Sequence, residues 1–249
     1  MHLDGAVAIV TGGNGGLGRR IGRALALQGV HVVVTYARSQ ADAEGVAAEL
    51  SAIGPRAIAV RADQTQPDQI DALVERVLAE FGRVDVLVNN AAYNQWVPYR
   101  DLDKLTLELW DRILTTNLTG PFMLCKAVAG PMRRQGRGRI VNIASVAGLA
   151  PTGSSIAYAV SKAALIHLTR CLAVALAPDV LVNAVAPGLM DGTRMTANLA
   201  PEYVERARQG AVLGRAAERD DVADLVVTLV RSESITGQTI PVDAGRVFH

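Results

Sequence analysis

The apolar run Ala6-Val7-Ala8-Ile9-Val10 passes without a break into Thr11-Gly12-Gly13-Asn14-Gly15-Gly16-Leu17-Gly18. Beyond it, Ile21, Ala24, Leu25 and Leu27 fall on one helical face, and Gly29 ends the segment. A short run rich in β-branched residues, with no polar alternation, reads as a strand covered on both faces. Glycines in the turn allow a tight reversal and let backbone approach a bound group closely. The following helix then offers unpaired N–H groups and the positive end of its dipole to an anion such as a pyrophosphate. Strand, glycine turn and helix in that order restrict the chain to a nucleotide-binding α/β fold.

The rest of the chain repeats the alternation. Strands are expected at 31–35, 57–60, 84–88, 139–144, 180–185 and 239–242, the sixth being broken by Pro187-Gly188. Helices are expected at 38–53, 67–81, 102–116, 119–135, 155–177 and 218–230, whereas 189–215 has weak periodicity. Alternating strands and helices with right-handed crossovers give a Rossmann-type, doubly wound parallel sheet in three layers. A chain of 249 residues with no composition shift fits one domain, 1–249, with a substrate lid expected at 189–214. In such sheets ligands bind beyond the C-terminal strand ends. Gly12–Gly18, Asp63, Asn89–Ala92, Ser145 and Pro187-Gly188 all follow strand ends, so they should converge on one edge.

Composition excludes several classes. Lys+Arg is 25 against 24 Asp+Glu, which gives no global field for nucleic acid or an anionic membrane. Hydrophobic residues make up 50%, yet no run reads as a membrane span. Met1-His2-Leu3-Asp4-Gly5 lacks a basic and then apolar leader, so a cytoplasmic location is expected. Cys125 and Cys171 stand alone and read as buried thiols in a reducing compartment. His2, His31, His167 and His249 show no metal-like spacing and read as structural or surface residues; no metal is expected.

Tyr158-Ala159-Val160-Ser161-Lys162 is where chemistry is expected. Residues four apart on a helix lie about 40° apart around the axis and roughly 6 Å along it, so both side chains reach one pocket. A lysine cation nearby should lower the phenol's pKa, making it a usable acid or base for a carbonyl or hydroxyl oxygen. Lysine occurs only at Lys104, Lys126 and Lys162, which makes one in a site less incidental.

Taken together, Thr11-Gly12 with Gly16 and Gly18, Asp63, Asn89-Asn90-Ala91, Asn117, Ser145, Tyr158 with Lys162, Pro187-Gly188 and the ending Ile235 to Gly245 resemble the short-chain dehydrogenase/reductase family over almost the full length. The resemblance implies that Tyr158 is the general acid/base and that Lys162 tunes it and binds the nicotinamide ribose. It implies that Ser145 bonds the substrate oxygen, and that Asn117 holds a helix kink and a water leading to Lys162. It places the cofactor on Gly12, Asn14, Gly16, Leu17, Gly18, Tyr36, Arg38, Ser39, Asp63, Gln64, Asn90, Ala91, Ala92, Tyr158, Lys162, Pro187 and Gly188, with Asp63 on the adenine amino group. Ala92 stands where the family's common phrase has glycine. Gly192 stands where a threonine is frequent, with Thr193 one residue later.

Within the family the chain looks most like 3-oxoacyl-carrier-protein reductases and related bacterial keto reductases. The expected reaction interconverts a ketone, such as a 3-oxoacyl group, and a secondary alcohol. The alternatives are a dehydratase or epimerase using the same site, or a non-catalytic nucleotide-binding protein. Arg133, Arg134, Arg137 and Arg139 make a basic cluster that a carrier protein or plain solvent could equally explain. Trp96, Met190, Met195 and Tyr203, from the loop 93–99 and the lid, hint at an apolar substrate pocket. Thr35-Tyr36-Ala37-Arg38-Ser39 holds no acid to accept the ribose 2′-hydroxyl, and Arg38 and Ser39 suit a 2′-phosphate, so NADP(H) is favoured with NAD(H) possible. The helix at 155–177 has small or apolar residues on several faces (Ala159, Ala163, Leu165, Ile166, Leu168, Cys171, Val174), and a homotetramer is expected, with a dimer as the alternative.

Overall fold

A computed structural model describes residues 1–197 and 199–248, without the side chain of Arg194. The expectation for His249, and the Asn198 position of the lid, lie outside the described residues. Seven strands form one sheet: β1 (Val7–Val10), β2 (His31–Tyr36), β3 (Ala57–Arg61), β4 (Val86–Asn89), β5 (Gly138–Ile143), β6 (Val180–Pro187) and β7 (Thr239–Val242). Their order is β3-β2-β1-β4-β5-β6-β7 and every neighbouring pair is parallel. The order reverses between β1 and β4, which creates the crevice where doubly wound sheets bind ligands.

Both sheet faces are apolar because successive residues of a strand point to opposite sides. Ala8 and Val10 of β1 face α1 (Gly16–Ala26), α2 (Gln40–Ser51) and a C-terminal helix, through Ile21, Leu25, Leu50, Val222 and Val226. Val7 and Ile9 face α3 (Pro67–Phe81) and a helix carrying Leu124, Val128 and Met132. Burying one such side chain is worth roughly 1.5–3 kcal/mol, so two continuous clusters hold the three layers together.

The strands and α3 lie within a few residues of the expected bounds. The stretch from 102 to 135 differs. A short turn at Leu102–Lys104 precedes α4 (Leu107–Leu114); a π-helical segment, Thr115–Thr119, then leads into α5 (Gly120–Arg134). Thr106 caps α4 by accepting from the Leu109 N–H, which is why that helix starts later than the apolar pattern indicated. α6 (Ile156–Leu176) carries Tyr158 and Lys162. The stretch 189–214 forms α7 (Arg194–Ala197) and α8 (Pro201–Gln209), and α9 (Arg219–Arg231) packs beside α1.

α6 corrects one sequence expectation: by length and composition it is apolar enough to cross a membrane. Its inner face, with Ala157, Ser161, Lys162, Leu165, Ile166, Thr169 and Ala173, is buried within the fold. Cys125 is buried as expected, but Cys171 is exposed on the outer side of α6. The arginine cluster is also broken up. Arg139 is 4% exposed and pairs with Glu233, Arg137 pairs with Asp85, and Arg133 donates to the Ala175 carbonyl.

Candidate active site

One cleft of about 920 Å³ opens at the C-terminal ends of the strands. Its lining includes Gly12, Asn14, Gly16, Leu17 and Gly18 from the first turn, and Tyr36, Arg38 and Ser39 after β2. Asp63 and Gln64 after β3, Asn90, Ala91 and Ala92 after β4, and Pro187 and Gly188 at the end of β6 complete that side. Ser145, Tyr158 and Lys162 line it as well. Convergence inferred from order alone is thus what the fold produces.

The glycine turn is fixed by hydrogen bonds between β1 and β4 that the sequence motifs did not reveal. The Thr11 hydroxyl accepts from the N–H groups of Asn90 and Ala91, both at 2.9 Å. The Asn90 amide donates to the carbonyls of Thr11 at 2.8 Å and Gly12 at 3.2 Å. β1 and β4 are therefore stitched together at the crevice. α1 starts with no side-chain cap at Gly15, leaving its first N–H groups for another acceptor. Gly18 packs beneath the turn: a Cβ there would lie 2.4 Å from the Gly12 carbonyl oxygen. An uncapped helix start beside a backbone cradle that excludes side chains fits the pyrophosphate of a dinucleotide. The Asp63 carboxylate accepts from the N–H and hydroxyl of Thr65 at 3.0 and 2.8 Å, which fixes it at the cleft wall.

At the floor, Ser155 starts α6: its hydroxyl accepts from the Tyr158 N–H at 3.2 Å. Ser145 sits just past β5, accepts from the Ala147 N–H at 3.1 Å and donates to the Pro187 carbonyl at 3.5 Å, and its hydroxyl is near enough to the Tyr158 phenol to favour the phenolate. The Lys162 ammonium nitrogen lies 5.8 Å from the centre of the Tyr158 ring and donates to the Ile143 carbonyl at 2.8 Å. Helical spacing and a strand end thus bring three reactive groups together.

Asn117 does not line the cleft. It lies behind it, 1% exposed, within the π-helical segment. Its side chain accepts from the Tyr93 N–H at 2.8 Å and donates to the Tyr93 carbonyl at 2.9 Å and the Ser161 hydroxyl at 3.1 Å. It ties the loop after β4 to α6 at a widened helical turn, in line with the expected kink.

Burial opposes the expected lowering of the tyrosine by its lysine. In the cofactor-free cleft, burial pushes the Tyr158 phenol up to about 12; the Ser145 hydroxyl opposes this and nearby Tyr203 adds to it. Burial likewise pushes Lys162 down to about 7. Lys162 is only 3% exposed and has no carboxylate partner among the described residues, so at neutral pH it carries its charge only part of the time. Tyr158 is half-buried, and water at the cleft floor tempers its rise, whereas Lys162 feels burial in full.

The other side of the cleft is walled by Tyr93 and Asn94 from the loop after β4 and by Met190, Met195, Leu199 and Tyr203 from the stretch 189–214. Trp96 stands behind Tyr203, edge-on at 5.1 Å. Thr193 also lines the cleft, and its hydroxyl is engaged with Thr196 at 2.9 Å. Thr152, Gly153 and Ser154, just before α6, line the cleft too and were not foreseen. Their loop has no periodicity or motif that marks it in the sequence.

Residues 6–204 match the short chain dehydrogenase family. A ketoacyl reductase of the granaticin polyketide synthase from Streptomyces violaceoruber is 42% identical over 245 residues, covering 97% of this chain and 96% of that protein. A 3-oxoacyl-[acyl-carrier-protein] reductase from Synechocystis is 41% identical, covering 99% of this chain and 98% of that protein. A short chain dehydrogenase from Burkholderia cenocepacia, solved in complex with NADP, superposes with a TM-score of 0.90 at 37% identity, covering 99% of each chain. The chain belongs to the short-chain dehydrogenase family. It is an oxidoreductase that interconverts a carbonyl and a secondary alcohol with a nicotinamide cofactor.

Proposed function

We propose that this dehydrogenase is an NADP(H)-preferring ketoreductase with Tyr158 as its acid/base and a 3-oxoacyl thioester as substrate. The observation that carries this reading is Ser145, Tyr158 and Lys162 on the floor of a cleft whose far end is a glycine cradle at a helix start. The two relatives named as ketoacyl and oxoacyl reductases support the substrate class. The bound dinucleotide supplies the hydride. Ser145 and Tyr158 hold the substrate oxygen as negative charge grows on it, and Tyr158 delivers the proton. Ribose hydroxyls of a bound cofactor would give Lys162 further acceptors and favour its charged form, and that charge would lower Tyr158. Loss of NADPH absorbance with a 3-oxoacyl thioester, compared with simple ketones, tests this reading; oxidation with none of them overturns it.

Cofactor choice rests on Arg38. It is exposed at the cleft edge, engages no acid among the described residues, and follows a strand end with no carboxylate. Asn14 donates to the Ser39 carbonyl at 3.5 Å, which holds this loop beside the glycine turn. Arg38→Ala is expected to raise KM for NADPH by about tenfold to a hundredfold, the worth of one charge-assisted phosphate contact, and to leave KM for NADH nearly unchanged. Equal weakening of both cofactors would contradict the assignment.

A homotetramer completes the proposal. On α6, Val174 is 82% and Val160 40% exposed, and on α5 Phe122 is 42% exposed. Apolar helix faces of this kind are normally covered. Light scattering should give four times the 26.3 kDa chain mass at micromolar concentration; a monomer would refute it.

A further inference from the structure

The lid reaches the catalytic tyrosine through one residue. The Tyr203 hydroxyl, on α8, accepts from the Gly153 N–H at 3.0 Å and lies 3.0 Å from the Thr152 hydroxyl. The same short loop is held from the other side: the Tyr99 hydroxyl donates to the Thr152 carbonyl at 2.6 Å, and the Val97 N–H donates to the Ser154 carbonyl at 2.8 Å. Gly153 has φ +109°, and a Cβ there would sit 3.2 Å from Cδ1 of Tyr158 and 3.0 Å from the Ala147 side chain. The Gly153 backbone is therefore one wall of the slot that holds the Tyr158 ring. Two residues on, Ser155 caps the helix through the Tyr158 N–H. α8 is itself tied down, since Arg246 donates to the carbonyls of Arg206 and Ala207 at its end.

We infer that Tyr203 is a positioning residue for Tyr158: its hydroxyl holds Thr152 and Gly153 against the ring, so a closed lid and a correctly placed acid/base are one event. This rests on the reading that Tyr158 is the acid/base. It gives the lid a role beyond walling the pocket. Substrates too large for α8 to settle leave Gly153 unheld and the ring loose, so the same contact links substrate size to rate. A misplaced catalytic group costs rate steeply even when binding survives.

Among the described residues, Lys162 on its own helix and Tyr203 on α8 act on the Tyr158 ring and phenol, and Tyr93, Arg112, Arg215, Asp243 and Arg246 line the same cleft. Reduction needs protonated Tyr158, so its rate falls as pH rises through the Tyr158 pKa. In Tyr203→Phe the ring stays packed against Trp96, but the loop is released and water reaches the slot. The expected result is a kcat about tenfold lower, with NADPH affinity unchanged. The alkaline fall should also set in roughly one pH unit lower, because burial then pushes the phenol up less. A kcat within twofold of wild type overturns the inference. So does a lower kcat with an unmoved alkaline limb, which is what general loosening would give. Tyr158→Phe is measured alongside: if it keeps its turnover, the acid/base reading has failed, whereas a dead Tyr158→Phe beside a normal Tyr203→Phe removes only the inference.

Discussion

Tyr158→Phe is expected to lower turnover by a factor of about 10²–10⁴, the usual contribution of a positioned general acid or base, while NADPH still binds. The substitution removes one oxygen and keeps the ring that packs against Gly153. The helix start also survives, because the cap uses the Tyr158 backbone N–H and not its side chain. What is lost is the proton donor beside the Ser145 hydroxyl. The glycine cradle and Arg38 are untouched, so fluorescence titration with NADPH should give a dissociation constant close to wild type. Steady-state turnover within tenfold of wild type would show that another group supplies the proton.

Lys162→Met should act in two opposite directions. Turnover falls by about 10²–10³-fold and NADPH binds more weakly, because one side chain serves both the phenol and the ribose. The cofactor-free protein, in contrast, becomes more stable. Lys162 is 3% exposed with a single carbonyl acceptor, and burial holds it at about 7, below its ordinary value of 10.5. Replacing such an ion with an apolar chain of similar length commonly stabilises by roughly 1–4 kcal/mol. For a chain of this size each kcal/mol moves Tm by about 2–4 °C. The sign with pH follows from linkage. Between about 7 and 10.5 the unfolded chain holds the Lys162 proton and the folded one does not, so wild-type stability gains with pH across that window. The advantage of Lys162→Met is therefore full below about pH 7 and shrinks as pH rises toward 10.5. Calorimetry of the cofactor-free proteins at the two ends checks this. A variant less stable than wild type at pH 6 would contradict it.

The sheet was legible because its residues carry the pattern locally. Val7 to Val10 and His31 to Tyr36 are runs that only a doubly covered strand accommodates, and Pro67 starts α3 where a proline is tolerated. The catalytic side chains were legible because a four-residue spacing and a strand end fix direction without knowledge of tertiary contacts. Two things were not. The π-helical turn at Thr115–Thr119 holds Asn117, whose side chain bonds Tyr93 and Ser161, partners far away in sequence. Periodicity alone ran one helix through part of this turn and started the next inside it. The slot around Tyr158 is built from Thr152, Gly153 and Tyr203, which meet only when α8 folds over the cleft. The charge on Tyr158 and Lys162 was not legible for a related reason. Spacing brings the two together, but burial decides their charge, and burial is a property of the whole fold.

Hydride transfer to the substrate carbon is the centre of this account, and isotope tracing tests it most directly. The enzyme is supplied with NADPH deuterated at its transferring carbon and a 3-oxoacyl thioester, and the product is read by mass spectrometry and NMR. The account predicts one deuterium on the new carbinol carbon for each NADPH oxidised, with both events slowed about 10²–10⁴-fold in Tyr158→Phe. Substrate consumed with no cofactor oxidised and no deuterium in the product, as in a dehydration or an epimerisation, would contradict it.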